Sequence, residues 1–418
     1  MDINAKSLLN NKNFLDSCKL LYGDADFEYQ AKRYANLYEI HSKNYKEGGE
    51  FFSSSGRIEV CGNHTDHNNG KVLCASISVD TLACVTPQDN KITIASIGYP
   101  VVDVDINDLQ IHKEEFGKSE GLVRGVLAYY KKNGYKIGGF AASSTSDVFK
   151  GAGVSSSASF ELLVAEILNV MFNGGKINAI EKAKAAHMGE SDYFGKPCGL
   201  LDQSAIPIGG VSYIDFKSTQ NPKVEQIMWP FEDLGIVITN TGGDHCNLTG
   251  EYAAIREEME AVAKFFKAKK LRKVKEDEFD KAIPELRKVV SDRAIERAIH
   301  YFNENKRVEI ARKAINKGNE KKFIEMINQS GISSQTMLQN CFPNGAVAQP
   351  IPLGTALSKQ IDGVKACRVH GGGFAGTIIA YVDKAKIDNY IKAMVDVYGK
   401  ENVFHVEVRN CGTCKVKI

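Results

Sequence analysis

An aspartate set in a small, apolar stretch is the first residue whose chemistry needs a reason. Pro197-Cys198-Gly199-Leu200-Leu201-Asp202-Gln203-Ser204 puts one carboxylate among Gly, Cys and Leu. If that stretch is buried, the carboxylate is paired or working; a surface turn or a helix cap is the plain alternative. A second segment, Gly56-Arg57-Ile58-Glu59-Val60-Cys61-Gly62-Asn63-His64-Thr65-Asp66-His67-Asn68-Asn69-Gly70, crowds Arg, Asn, two His and an Asp into a strand-to-turn passage. Such side chains are poor in strands and cores. Their short donors and acceptors suit a polyhydroxyl ligand, with a surface turn and its capping residues as the alternative. Third, Lys150-Gly151-Ala152-Gly153-Val154-Ser155-Ser156-Ser157-Ala158-Ser159 leads directly into a helical pattern. Glycines let the backbone approach an anion, successive N–H groups form a nest, and the helix adds its positive end. A serine hydroxyl there reaches a phosphate-bound Mg²⁺; otherwise Ser is simply a good cap. An Asp base, Arg57 to steady charge, Mg²⁺ and a nest supply what phosphoryl transfer asks of a protein. No Walker A pattern occurs and no G-x-G-x-x-G follows a strand, which disfavours two common nucleotide folds.

Elements of both kinds must position these groups. Residues 14–48 carry Phe14, Leu21, Tyr34 and Leu37 at helical spacing. The patterns predict strands at 58–60, 72–79, 81–86 and 91–96, divided by Asn68-Asn69-Gly70 and Gln88-Asp89-Asn90. A helix over 119–132 and a strand over 138–143 lead to the Gly/Ser loop. Phe160, Leu163, Val164, Ile167, Leu168 and Met171 mark the helix after it. Strands follow at 211–216 and 236–239, then mostly helix over 248–339. Strands at 377–382 and 403–408 flank a helix over 387–398. Gly371-Gly372-Gly373 precedes the first of these strands and, taken alone, is a structural turn. Strands and helices intermingle, so the class is α+β or α/β, with a domain boundary between about 180 and 220.

The chain's 418 residues exceed what one core usually holds, so two domains are expected. The 53 basic and 51 acidic residues are spread along the chain, which gives no support for nucleic-acid binding. The first thirteen residues lack a signal-peptide layout, and no apolar run is long enough to span a membrane. Ten irregularly spaced cysteines in so large a chain point to reduced, cytosolic thiols. Cys411 and Cys414 form a C-x-x-C without the second pair that a structural zinc requires.

In order along the chain, Gly56-Arg57 with Gly62 to Gly70, Gly151 to Ser159, Pro197 to Gln203, Thr239-Asn240-Thr241 with His245, Glu251, Tyr252 and Arg256, and Gly371 to Gly376 resemble the motifs of the galactokinase family of the GHMP small-molecule kinases. The resemblance implies an α+β, two-lobed GHMP-kinase fold with the active site in the cleft between an N-terminal lobe, 1–205, and a C-terminal lobe, 206–418. It implies ATP as co-substrate, Mg²⁺ as cofactor, and phosphorylation of the anomeric hydroxyl of galactose. A cytoplasmic monomer is expected, with the sugar and ATP as its partners and with no nucleic acid and no membrane. Carried over by position, Asp202 is the base and Arg57 stabilises charge at the anomeric oxygen. Asn63, His64, Asp66, Gly199 and Tyr252 bind the sugar. Gly151, Ala152, Gly153, Val154, Ser155, Ser156, Ser157 and Ala158 hold ATP, and Ser157 and Glu190 hold the metal. The sequence departs from the pattern at several positions. The family's Glu in G-E-H is Asn63, its Tyr in T-D-Y is His67, and its Asn after G-R-x is Glu59. Ser119 stands about where an adenine-side Trp often lies. In this family the Glu faces the C6 hydroxyl, so Asn63 is expected to set tolerance at C6. Asn63→Glu is then expected to keep galactose and to disfavour galacturonate. The alternatives are another anomeric sugar kinase, for galacturonate or N-acetylgalactosamine, and a silent sugar sensor on the same fold.

Overall fold

The structure, a computed structural model, describes residues 3–23, 26–45, 48–148, 153–196, 198–243, 248–374 and 376–418. Two helices, Lys12–Tyr22 and Phe27–Asn44, stand where one helical run was expected. Their side chains Phe14, Leu21, Tyr34 and Leu37 are buried together against Phe51.

An eight-stranded sheet follows, built from β1 (Glu50–Cys61), β2 (Lys71–Pro87), β3 (Lys91–Ser96), β4 (Val102–Asp105), β5 (Phe140–Ser146), β6 (Val211–Asp215) and β7 (Lys223–Ile227). A smaller sheet of four antiparallel strands comprises β8 (Leu234–Asn240), β9 (Val364–Val369), β10 (Thr377–Asp383) and β11 (Val403–Val406), in the order β11-β8-β10-β9. The last strand, β12 (Cys414–Lys415), returns to the first sheet, whose main order is β12-β1-β2-β5-β3-β4. The first sheet therefore runs past the expected division after residue 205, since β6, β7 and β12 all belong to it. Two expected strands, 72–79 and 81–86, form the single 17-residue β2. Its start pairs with β6 and its end with β5, and both faces are buried, so its Val, Leu, Ile, Ala and Cys side chains need no alternation.

Helices Ser119–Lys132 and Ser156–Asn173 cover one face of this sheet. They bury Val123, Leu127, Leu163 and Leu168 against Ile92, Val104 and Phe140. A second core joins the two sheets. Ile58 and Val60 of β1 share it with Ile236 and Ile238 of β8, Tyr381 of β10, and Val308 and Phe323 from the helices Asp292–Asn316 and Glu320–Ser333. Full burial of each such side chain stabilises the fold by about 1.5–3 kcal/mol, so the seam between the sheets is a packed core. The chain's end is fastened there as well. Arg409 is fully buried and donates from Nη1 to Ser53 Oγ of β1 at 2.7 Å, beside Asp80 of β2. No helix among the described residues is long and apolar enough to cross a membrane.

Candidate active site

Strand alternation sets the first wall of the site. Ile58 and Val60 point into the shared core, which leaves Arg57 and Glu59 on the opposite face, lining a cavity of about 160 Å³. Register shifts against β2 fall on either side of Arg57–Glu59, between Ser55 and Arg57 and between Glu59 and Cys61. Such irregularities re-aim side chains at functional sites. Gly56 sits in the first shift, where a Cβ would lie 3.0 Å from the Val154 carbonyl oxygen. The Arg57 N–H donates to that same oxygen at 3.1 Å, so β1 and the Gly/Ser loop are locked together.

That loop delivers the second wall. Ser155 holds φ +65°, a left-handed conformation that costs a non-glycine residue about 1–3 kcal/mol and that clusters at functional sites. Its hydroxyl does not cap the Ser156–Asn173 helix; it donates to Asp202 Oδ2 at 2.5 Å. Arg57 Nε donates to Asp202 Oδ1 at 2.8 Å, and Arg57 Nη1 to the Gly153 carbonyl at 2.5 Å. Burial alone would raise the Asp202 pKa. The Arg57 guanidinium and the hydrogen bonds from Arg57 and Ser155 outweigh it and hold the carboxyl below its usual range. Asp202 is therefore ionised, and 34% of its side chain remains open to the cavity. Of the residues expected to hold ATP, Gly153, Ser155, Ser156 and Ser157 are at hand. Val154 and Ala158 bury their side chains in the core, and Gly151 and Ala152, like His245, lie outside the described residues.

A one-turn widening of the chain, Gly189–Tyr193, aims Glu190 inward. Such π-turns recur at functional sites. Close backbone approach makes this one possible, since a Cβ on Gly125 would fall 2.4 Å from Gly189 Cα. Ser157 Oγ donates to Glu190 Oε1 at 3.1 Å, Lys196 Nζ to the same oxygen at 2.8 Å, and Gln203 Nε2 to Oε2 at 2.6 Å. A hydroxyl beside a carboxylate is an oxygen donor set of the kind a hard cation takes alongside waters and phosphates. Among the described residues no group of three or more His, Cys, Asp or Glu is placed to hold a metal ion. Glu161, one helical turn beyond Ser157, is fully buried, and neither of its oxygens has a partner among the described residues. Burial, then the charge of Glu190, push its pKa well above the usual carboxylate value.

The third wall holds His64, Asp66 and Gly199, all of which line the cavity as expected from sequence. His64 Nε2 bonds the Gly372 carbonyl at 2.8 Å, and its Nδ1 lies 3.3 Å from His67 Nε2. Burial, helped by His67, lowers its pKa to about 4, so the ring is neutral. Nε2–H is thus the donor to Gly372. Gly199 stands close to Asp66: a Cβ on it would lie 3.1 Å from Asp66 Oδ2. Tyr252 stands behind the glycine turn: its hydroxyl donates to the Gly373 carbonyl at 2.9 Å and its ring meets Phe374 edge-on.

Asn63 is not brought to the cavity. It is fully buried, its Nδ2 donates to Glu59 Oε1 at 3.0 Å and to the Gly371 carbonyl at 2.7 Å, and its Oδ1 accepts from Asn340 and Ser334. Those last two partners lie more than 270 residues away in sequence, so no local feature showed that the amide was already engaged. Glu59 lines the cavity instead, with Oε1 also accepting from Arg368 Nη2 at 2.8 Å. Burial raises the Glu59 pKa, and the Arg368 guanidinium opposes the rise. The backbone N–H of Glu59 donates to His370 Nε2 at 3.0 Å, and burial keeps His370 neutral. Sequence reasoning missed Glu59, Lys196, Gln203 and His370 as site residues. A carboxylate within a β-branched strand, as at Glu59, was the available signal.

Two family models match the chain: a galactokinase galactose-binding signature over residues 39–87 and a GHMP kinase N-terminal domain over residues 121–210. The galactokinase of Clostridium tetani is 32% identical over 370 residues, covering 86% of this chain and 90% of its own. That of Lactococcus lactis subsp. cremoris is 31% identical over 382 residues, covering 88% and 93%. The crystal structure of Lactococcus lactis galactokinase complexed with galactose superimposes with a TM-score of 0.78 at 26% identity, covering 92% of this chain and all of that one. A mevalonate kinase from Methanococcus jannaschii shares the fold, with a TM-score of 0.62 at 13% identity.

Proposed function

Because the chain belongs to the galactokinase family, we propose that it moves the γ-phosphoryl group of ATP onto the anomeric hydroxyl of D-galactose, giving galactose 1-phosphate and ADP. The observation that carries this reading is an ionised, cavity-facing Asp202 set against the first turn of the Ser156–Asn173 helix. The anomeric hydroxyl donates to the Asp202 carboxylate. As its oxygen bonds to the γ-phosphorus, the bond from that phosphorus to the β,γ-bridging oxygen breaks, and ADP leaves with the electron pair. The hydroxyl proton passes to Asp202. Arg57 stabilises charge gathering at the anomeric oxygen, and Lys196 faces the phosphates. A carboxyl held below its usual pKa is a weak base, so Asp202 acts chiefly by orienting the nucleophile and taking the proton late.

Ser157 and Glu190 would hold Mg²⁺, which supplies charge neutralisation on the phosphates when bound. His64 and Asp66 would bind sugar hydroxyls. The two carboxylates Glu59 and Asp66 on the cavity wall favour a neutral sugar over galacturonate.

The test is sugar-dependent ADP release, with galactose, galacturonate, N-acetylgalactosamine and 6-deoxygalactose compared at equal concentration. Galactose is expected to lead and galacturonate to fail. ADP release with galacturonate and none with galactose would replace this reading with the acid kinase; release with no sugar at all would leave a silent sensor.

A further inference from the structure

We propose that Glu59 and Asn63 have exchanged roles: Glu59 presents the carboxylate that accepts a hydrogen bond from the bound sugar, and Asn63 is the buried amide that holds it in place. This inference rests on the reading of the chain as a galactose kinase and names the residue by which that site grips its sugar.

Four observations converge on Glu59. It lines the cavity that also holds Asp202, His64 and Asp66, whereas Asn63 does not. Its backbone is fixed, because the register shift at Val60 and the bond to His370 set the strand on both sides of it. Its Oε1 is saturated by Asn63 Nδ2 and Arg368 Nη2, so the carboxylate plane is held by two donors. Its Oε2 takes no hydrogen bond from the described residues, so that oxygen keeps its acceptor capacity while the side chain lines the cavity. A carboxylate clamped at one oxygen and open at the other is preorganised to accept from a hydroxyl.

Asn63 has the complementary inventory. An amide carries both donors and acceptors, and the site needs both. Glu59 Oε1 and the Gly371 carbonyl each require a donor, while Asn340 Nδ2 and Ser334 Oγ each require an acceptor. A carboxylate at position 63 would meet Asn340 and Ser334 well but would face Glu59 and the Gly371 carbonyl with like charge. With Glu59 present, position 63 therefore demands the amide. The two side chains lie four residues apart and 3.0 Å from each other, close enough for one to take over the other's function. The expectation that Asn63→Glu keeps galactose activity is reversed on this geometry.

Galactose binding is measured by calorimetry without nucleotide, and KM for galactose and for ATP by ADP release, in wild type, Glu59→Gln, Asn63→Glu and the double variant Glu59→Asn/Asn63→Glu. Loss of a charge-assisted bond to the sugar weakens galactose binding about tenfold or more in Glu59→Gln, with KM for ATP changed less than about threefold. Asn63→Glu alone loses galactose binding comparably. The double variant restores the carboxylate–amide pair in reversed order and regains at least about tenfold over Asn63→Glu, a non-additivity that loss of structure does not produce. If either single variant fails to fold, the double variant decides: folded protein with recovered galactose binding supports the exchange, and folded protein that binds no better than about a hundredth of wild type overturns it. Glu59→Gln with unchanged galactose affinity in an otherwise active enzyme also overturns the exchange and leaves the kinase reading intact. A wild-type protein that neither binds nor turns over galactose refutes the kinase reading, and the exchange falls with it.

Discussion

The two ends of the cavity are built by different rules. At the transfer end, Arg57, Ser155, Ser157, Glu190 and Asp202 come from short motifs of the first lobe, and their bonds run among themselves. At the sugar end, Glu59 and Asn63 are held by Arg368, Ser334, Asn340 and Gly371, all brought in from the second half of the chain. Arg368 is 1% exposed and Glu304 beside it is fully buried. The first end gathers its polar atoms around Asp202 and Glu190 at the cavity. The second uses most of its polar atoms to join the two halves of the chain, and of Glu59 and Asn63 only Glu59 lines the cavity. Rate and stability should therefore separate at one end and travel together at the other.

Asp202→Asn is the strongest way to break that contrast. Asparagine nearly matches the shape but takes no proton, so kcat is expected to fall by ~10²–10⁴. The urea midpoint should shift less than in the variant that follows. Near-normal turnover would remove Asp202 from its role. Arg368→Met addresses the other end. It strips a buried guanidinium from Glu59, and breaking such a pair costs about 3–5 kcal/mol of stability; urea unfolding measures it. A loss under about 1 kcal/mol would mean that the sugar end is not a structural joint.

Ser157→Ala sharpens the comparison with a smaller effect. The Mg²⁺ concentration for half-maximal rate should rise by roughly 3–10-fold, with an unchanged melting temperature, and a Mg²⁺ titration of initial rates checks it. An unchanged requirement would move the metal contact elsewhere. Acidification gives the smallest effect near neutrality. Burial lowers the pKa of His41 and, together with its neighbour His67, that of His64, both to about 4, below the unfolded value of about 6.5. The unfolded chain binds more protons in this window, so each contributes stability that is full above pH ~6.5 and is lost as pH falls toward 4. At pH 6 the loss is about 0.8 kcal/mol per histidine. The urea midpoint measured from pH 8 to 4 should decline below ~6.5 and flatten in His41→Gln; a slope unaltered by that change would show that His41 does not titrate as its burial dictates.

Much of this was legible in the sequence wherever an element supplies its own reasons. The helices Ser119–Lys132 and Ile387–Tyr398 and the strand β3 fall where periodicity and turn residues put them. Asp202 and Arg57 were likewise paired on chemistry alone. What escaped was decided by distant partners. The start of β1 reads Glu-Phe-Phe-Ser-Ser-Ser, which carries little strand preference in its serines. It is a strand because it ladders on β2, and its serines are used by Arg409 and Thr413 from far along the chain. Asn63 was expected to face a ligand and is instead engaged by Ser334 and Asn340, again from far along the chain. Residue type names a capability, and the neighbours choose which half of it is used.

The bond from Arg409 to Ser53 joins residues 356 positions apart. A ribosome adding about 5–20 residues per second delivers Arg409 tens of seconds after β1 has emerged. For that interval Asp80 lies in the first sheet with Arg33 as a partner but without Arg409, and the edge of β1 that β12 will cover is bare. An uncovered edge strand invites pairing with another chain. The nascent protein thus carries this edge of β1 uncovered until residues 414–415 emerge, and its solubility during synthesis depends on how soon they arrive.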